Sequence, residues 1–380
     1  MRPLLFALLV AAVPALAAQS TPVRWSLAST PAITIDGIEH EFTRIFATRV
    51  PSGEIVVLDG ASRVLQSFTA EGRPLKRIAG PGNGPGEIPP NNLMQLMRDG
   101  DSILLLLAPG MATPSVRSYS VSAGFVSSTV IRASDAPRGG VSPMAPLGGG
   151  RWLGRVGTFS ELQPPRAAGE VRPLTTILGI VQLHDRGRFL VLDTLITAYT
   201  VSYARAEPGR YAVTTMPYAS VGIASASGGR VWIGDASTGS IRLLDPEGAR
   251  VAELPPVVPP RSFDPARVAA ALARALAAGD DDNHRAMIRA QFGEAGRPSR
   301  APAFTRFVPG PNGEMWVELF REDPAAVAEF RVLDRDARVI GAVTVPAGVR
   351  VEDVGRDYVL GTIKDEDDVP SVVLYRLVRR

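Results

Sequence analysis

Three histidines, His40, His184 and His284, and no cysteine at all are what this 380-residue chain offers to soft-metal and thiol chemistry. No His-x-His or His-Glu-x-x-His pair spaces two imidazoles on one metal, and without thiolates a structural zinc site has no ligands. No Gly-x-Ser-x-Gly elbow presents a serine nucleophile. Carboxylates are more plentiful. Two acidic runs, Asp280-Asp281-Asp282-Asn283-His284 and Asp365-Glu366-Asp367-Asp368, lack the glycine and the distal glutamate that an EF-hand loop needs in register, so they read as solvated loops. Asp59 and Asp235 close matching segments, Ile55-Val-Val-Leu-Asp59 and Val231-Trp-Ile-Gly-Asp235. A repeated aspartate of this kind either caps the turn after a strand or ligates a hard cation such as calcium. These two are the weak metal candidates of the chain, and turn capping is the preferred reading. No catalytic or cofactor-binding residue is assigned. No cofactor is expected, with calcium as the one alternative.

The run Gly80-Pro-Gly-Asn-Gly-Pro-Gly86-Glu87 has the glycine density of a phosphate loop but is followed by Ile88-Pro89-Pro90, with neither the lysine nor the helix that such a loop requires. It reads as a tight connection between sheets.

The elements that carry these residues repeat. A 20-residue unit occurs twice without a gap, Gly53 to Gly72 and Gly229 to Gly248, each with an apolar run, an aspartate, a second apolar run and a Glu-Gly turn. Six segments start with a glycine turn and continue into an apolar strand, at Gly53, Gly100, Gly150, Gly229, Gly313 and Gly355, with intervals of 47, 50, 79, 84 and 42 residues. Three intervals match a propeller blade of roughly 40–50 residues. The 84-residue interval contains a predicted insertion over residues 262–298. Asp264 and Pro265 supply an N-cap and N1 proline, Val268, Leu272 and Leu276 share one face, and Gly279 ends the helix. A second helix is expected from Asp281 or Asp282, with Met287, Ile288 and Phe292 on its apolar side. In the 79-residue interval, Thr176–Val181 and Phe189–Leu192 flank Asp185-Arg186-Gly187 and read as an outer hairpin, although a seventh, degenerate blade would also fit. The chain ends in a strand, Ser371–Leu377. Its missing neighbour is expected from Val23–Leu27 or Ala32–Ile35, which would close the ring and remove an exposed sheet edge.

The predicted architecture is therefore all-β: a six-bladed β-propeller, seven blades being the alternative, with a helical insertion between the fourth and fifth blades. Residues 1–17 read as a secretory signal peptide, with Arg2, an apolar run from Leu4 to Val13 and an Ala-x-Ala site, which leaves residues 18–380 as a single propeller domain. The apolar run is shorter than the roughly 20 residues a bilayer needs, so no membrane span is expected in the mature chain. Export to the periplasm or the exterior follows. Of the 41 basic residues only Lys76 and Lys364 are lysines, and the arginines alternate with 38 acidic residues. That dispersion argues against a nucleic-acid partner.

The pattern Gly53-x-Ile55-x-Val57-x-Asp59, the Glu71-Gly72 turn, Gly82-x-Gly84-Pro85-Gly86-Glu87, and the ending with Tyr358–Gly361 and Leu374–Leu377 resemble the exported bacterial six-bladed propellers of the NHL-like type. The resemblance implies fold and export but no settled activity. The expected function is binding of a protein, peptide or small molecule by a monomer, at the channel mouth and the helical insertion, because elements that interrupt a regular repeat gather where a rigid scaffold carries its binding loops. The alternative is a calcium-dependent hydrolase or lactonase with carboxylates around the channel.

Overall fold

The computed structural model describes residues 23–379 except 91–92, 109–113, 132–140, 158–166, 183–187, 206–209, 260, 294–299 and 324–325. The segment 1–17 expected to be a signal peptide, His184, the turn at 185–187 and the end of the 262–298 segment lie outside the described residues.

The N-terminal strands β1 (Arg24–Leu27) and β2 (Ile33–Ile35) precede a series of antiparallel sheets. The first sheet contains β3 (Ile45–Arg49), β4 (Ile55–Asp59), β5 (Val64–Phe68) and β6 (Pro74–Ala79) in sequence order. The second contains β7 (Leu93–Asp99), β8 (Ser102–Ala108), β9 (Ser115–Ser120) and β10 (Gly124–Val130). The third has five strands, β11 (Ser142–Gly148), β12 (Arg151–Gly157), β13 (Val171–Gln182), β14 (Phe189–Ala204) and β15 (Tyr211–Thr215). The fourth contains β16 (Gly222–Ser227), β17 (Arg230–Asp235), β18 (Ser240–Leu244) and β19 (Arg250–Leu254). Helices α1 (Pro265–Ala277) and α2 (Asp282–Phe292) follow. A nine-stranded sheet completes the chain, made of β20 (Phe304–Pro309), β21 (Met315–Leu319), β22 (Ala328–Leu333), β23 (Val339–Val345), β24 (Arg350–Val354), β25 (Tyr358–Lys364) and β26 (Pro370–Val378) together with β1 and β2.

Packing between sheets makes the fold propeller-like. In β4, Ile55 and Val57 pack on Leu360, Val372 and Leu374 from the C-terminal strands, while Val56 and Leu58 pack on Ile103, Leu105 and Leu107 of the second sheet. Strand β8 divides its residues likewise, with Leu104 and Leu106 meeting Trp152 and Val181 of the third sheet. Val231 and Ile233 of β17 face the third sheet, and Trp232 faces Phe304, Phe307 and Met315. Trp316 and Phe330 then pack on Val351, Val354 and Val359. A strand covered on both faces needs apolar residues at every position, which explains the unbroken runs Ile-Val-Val-Leu and Ile-Leu-Leu-Leu-Leu where one-sided sheets would alternate.

The six glycine turns share one position in the sheets. Each lies between the first and second strands of its group, so the apolar run after it is the second strand and one strand precedes it. The first strands β3, β16, β20 and β24 neighbour one another around the centre. Their mixed burial, as in Ile45-Phe-Ala-Thr-Arg49 and Gly222-Ile-Ala-Ser-Ala-Ser227, gives no strong apolar signal. The long third interval is absorbed into strands β13 and β14, of 12 and 16 residues, and the extra strand β15. The expected hairpin between Thr176–Val181 and Phe189–Leu192 is the β13–β14 pair.

Both N-terminal segments proposed to complete the ring do so. Ile33, Thr34 and Ile35 pair antiparallel with Leu374, Val373 and Val372. In β1, Arg24 and Trp25 run parallel to Ala342 and Val343 of β23, and Ser26 and Leu27 run antiparallel to Val378 and Leu377. Across the same junction, the buried Asp353 carboxylate accepts from Thr48 Oγ1 at 3.0 Å, the Arg49 N–H at 2.8 Å and Tyr358 Oη at 3.2 Å, and Arg98 Nη2 lies 3.6 Å away. Burial, and then the charge of Asp353, push the Tyr358 phenol far above its usual range, so it stays a donor.

Ile35 is 1% exposed in this junction, whereas Ile38, three residues on, is 67% exposed. Ile35→Ala is expected to cost about 2–5 kcal/mol in chemical denaturation. Ile38→Ala should change stability by less than about 0.5 kcal/mol.

Candidate functional site

Antiparallel order places the start of every first strand and the finish of every second strand at one end of the ring. That end carries the turns after Asp59 and Asp235, residues 216–221 and the helical insertion.

The helices form where their capping residues dictate. Asp264 accepts from the N–H groups of Ala266 at 3.0 Å and Arg267 at 3.3 Å, with Pro265 at the first helical position. Asp281 accepts from the His284 N–H at 2.6 Å, so the acidic run 280–284 is the start signal of α2. Both helices match the sequence reading. They are docked by Arg261, which binds the fully buried Glu322 through both carboxylate oxygens and also donates to the Phe320 carbonyl at 3.3 Å. Tyr218 sits among Phe263, Phe292 and Phe320 at ring-centroid distances of 5.3–5.8 Å and donates its hydroxyl to the Glu322 carbonyl. Helix α2 then lies over the third sheet: Gln291 Nε2 donates to Thr214 Oγ1 at 2.8 Å, and Ala290 packs with Val201, Met216, Ala219 and Tyr199. The two departures from the regular repeat thus brace each other.

Beside that contact lies a cleft of about 580 Å³ between β14 and the fourth sheet, lined by Asp193, Thr194, Leu195, Ile196, Tyr199, Ala219, Ser220, Gly222, Asp235, Ser237 and Arg242. Strand β14 is irregular on both sides of its contribution. Leu178 pairs with Asp193 but Gly179 with Val191, and Leu174 pairs with Ala198 but Thr175 with Ile196. Such bulges re-aim side chains next to them, and here they bracket residues 193–196. Asp193 forms an ion pair with Arg242 across the cleft, and the Thr194 N–H donates to its Oδ1 at 2.7 Å. A Cβ on Gly222 would lie 2.9 Å from the Leu195 Cβ, so glycine permits the close approach of the two walls.

Asp59 and Asp235 occupy equivalent turns and are not brought together. Asp59 is buried and accepts from the Arg44 N–H at 3.1 Å and the Ala61 N–H at 3.0 Å. Asp235 accepts from the Ser237 N–H at 2.8 Å and its hydroxyl at 2.6 Å, on the cleft wall. Both cap their turns. Among the described residues no three His, Asp or Glu side chains converge as a metal site. His284 pairs with Asp280 on the surface at 2.9 Å, and His40 packs against Phe42 and edge-on to Phe68. The 365–368 run closes a turn through Asp365. In the glycine-rich run, Glu87 folds back onto the Gly84 N–H at 2.7 Å and Tyr119 donates to the Gly86 carbonyl, as befits an intersheet loop. Sequence reasoning missed Asp193, Ser220, Ser237 and Arg242. The one usable signal was Asp193, a charge that interrupts the apolar run Phe189–Leu192.

No protein-family model matches the chain, and no curated protein matches it. Similar solved structures include a member of the DUF4221 family from Bacteroides vulgatus, 10% identical over 95% of this chain and 98% of that one, with a TM-score of 0.46. The PQQ-bound aldose sugar dehydrogenase of Streptomyces coelicolor is 10% identical over 94% and 99%, with a TM-score of 0.42. The calcium-binding protein regucalcin from Agrobacterium tumefaciens is 13% identical over 95% and 98%, with a TM-score of 0.40. The propeller-like architecture is carried by this chain's own strand order and intersheet packing. No helix among the described residues is long and apolar enough to cross a membrane.

Burial raises the Glu322 pKa, but the Arg261 bond and backbone N–H groups outweigh it and hold the carboxyl below its usual range. A depressed carboxylate stabilises the fold above its unfolded pKa of about 4.3, and that contribution is lost as pH falls through the lower folded value. Arg261→Ala leaves the charge buried without a cation. Because Arg261 is itself partly exposed, the loss is expected at the low end of the buried-pair range, about 3 kcal/mol at pH 7. The gap between wild type and variant should narrow below about pH 4, read from denaturation curves across pH.

Proposed function

We propose that this chain is an exported, monomeric six-bladed β-propeller whose function is to bind a ligand at the helix-bearing end. Four separate sheets, and the division of the nine-stranded sheet at β1 into β20–β23 and β24–β26 with β2, support the blade count, the third group being enlarged to five strands. Export rests on the leader pattern of residues 1–17.

The observation that carries the binding reading is the convergence of both repeat irregularities on one cleft. A bulged strand supplies one wall, and the helical insertion buttresses Tyr199 and Ala219 from behind. Its volume falls within the range of small-molecule pockets. Asp193, Asp235, Ser237 and Arg242 offer donors and acceptors of both charges above an apolar patch of Leu195, Ile196 and Ala219. That combination suits a small polar molecule, or a peptide segment, with one apolar side. Among the described residues no carboxylate grouping favours the calcium-dependent hydrolase.

A panel of amino acids, dipeptides and monosaccharides, tested by thermal shift and calorimetry, should contain at least one class that raises Tm. A ligand at 100 times its Kd contributes about 2.7 kcal/mol. Ser220→Trp, which fills the cleft, should keep the unliganded Tm and abolish that response. Absence of any response, or one that persists in Ser220→Trp, contradicts the proposal. Millimolar calcium should leave Tm unchanged.

A further inference from the structure

A second concavity, of about 250 Å³, lies at the same end but between the first strands β20 and β24, lined by Arg306, Glu318, Arg321, Gly348, Val349 and Arg350. Three guanidinium groups and one carboxylate line it. Glu318 Oε2 takes Arg306 Nε at 3.0 Å, and Glu318 Oε1 lies 2.9 Å from Arg321 Nη1. Arg306 is held in place by a second bond, from Nη1 to the Val351 carbonyl at 2.8 Å. Arg350 Nε lies 3.2 Å from Glu352, a carboxylate behind the pocket wall. The three cations therefore outnumber the two carboxylates.

Arg321 is the telling member. Its Nη1 is paired with Glu318 at 2.9 Å, while its Nε is buried with no hydrogen-bond partner. Buried donors without a partner are rare in folded proteins, and this one lies on a guanidinium that also lines the concavity. Gly348, in the turn before β24, adopts φ 76°, a conformation that disfavours any side chain, and leaves its part of the lining bare. The guanidinium fork matches the geometry of a planar or tetrahedral oxyanion.

We propose that this pocket binds the oxyanion group of a small molecule, a carboxylate or a phosphate, through Arg306, Arg321 and Arg350. The site is separate from the cleft beside β14 and does not rest on the reading of that cleft.

The test uses the mature chain with inorganic phosphate and with succinate as probes, against chloride at matched ionic strength. Calorimetry and thermal shift should show saturable binding of at least one probe. Binding of both assigns the pocket to oxyanions in general, and binding of one assigns the anion class. Arg350→Gln, at a side chain 63% exposed and so harmless to folding, and Arg321→Gln should each weaken binding at least about tenfold. Ser220→Trp should leave it unchanged. No stabilisation beyond chloride, or affinity unaltered in both arginine variants with circular dichroism unchanged, overturns the proposal.

Discussion

The molecule depends on the pairing of its two chain ends. Strand β26 takes neighbours from the N-terminal segment, since β1 and β2 both pair with it. Without that junction the last sheet would present an open edge, and Ile35, Leu360 and Val372 would lose a common core with Ile55 and Phe68. A chain with no disulfide has only such packing to hold a ring closed. The junction also holds the Asp353 network, where one carboxylate ties the first strands of the last and first groups and reaches Arg98 in the second sheet.

Closure fixes the positions of everything at the helix-bearing end. Glu322 and Phe320, at the finish of β21, receive Arg261 and Phe263 from the insertion, while α2 spans to the third sheet. The helices therefore depend on two sheets that the ring holds at a set separation. The cleft inherits that rigidity, since its walls come from β14 and the fourth sheet. The arginine pocket relies on the same spacing: Arg306 reaches from β20 to the Val351 carbonyl on β24.

Much of this was legible in the residues. Unbroken apolar runs such as Ile55–Leu58 exist because both faces of a strand are covered, and Asp264-Pro265 marks the helix start by satisfying backbone donors. Asp59 and Asp235 repeat because their turns repeat. The first strands escaped notice since their residues divide between core and centre, as in Ile45–Arg49. The sites were hidden for a different reason. Asp193 meets Arg242 across two sheets beside a bulge, and Arg306 reaches Glu318 and Arg321 through the register of the β20–β21 pair, which the sequence does not announce. A third-sheet interval long enough for two blades proved to hold longer strands, which spacing alone does not distinguish from a further repeat.

Hydrogen exchange followed by mass spectrometry tests ring closure most directly. The amides of residues 24–27 and 33–35 should exchange as slowly as those of 370–378, through global unfolding only. Rapid exchange of the N-terminal strands while 370–378 and the sheets stay protected would contradict the account, because the ring would then hold without them.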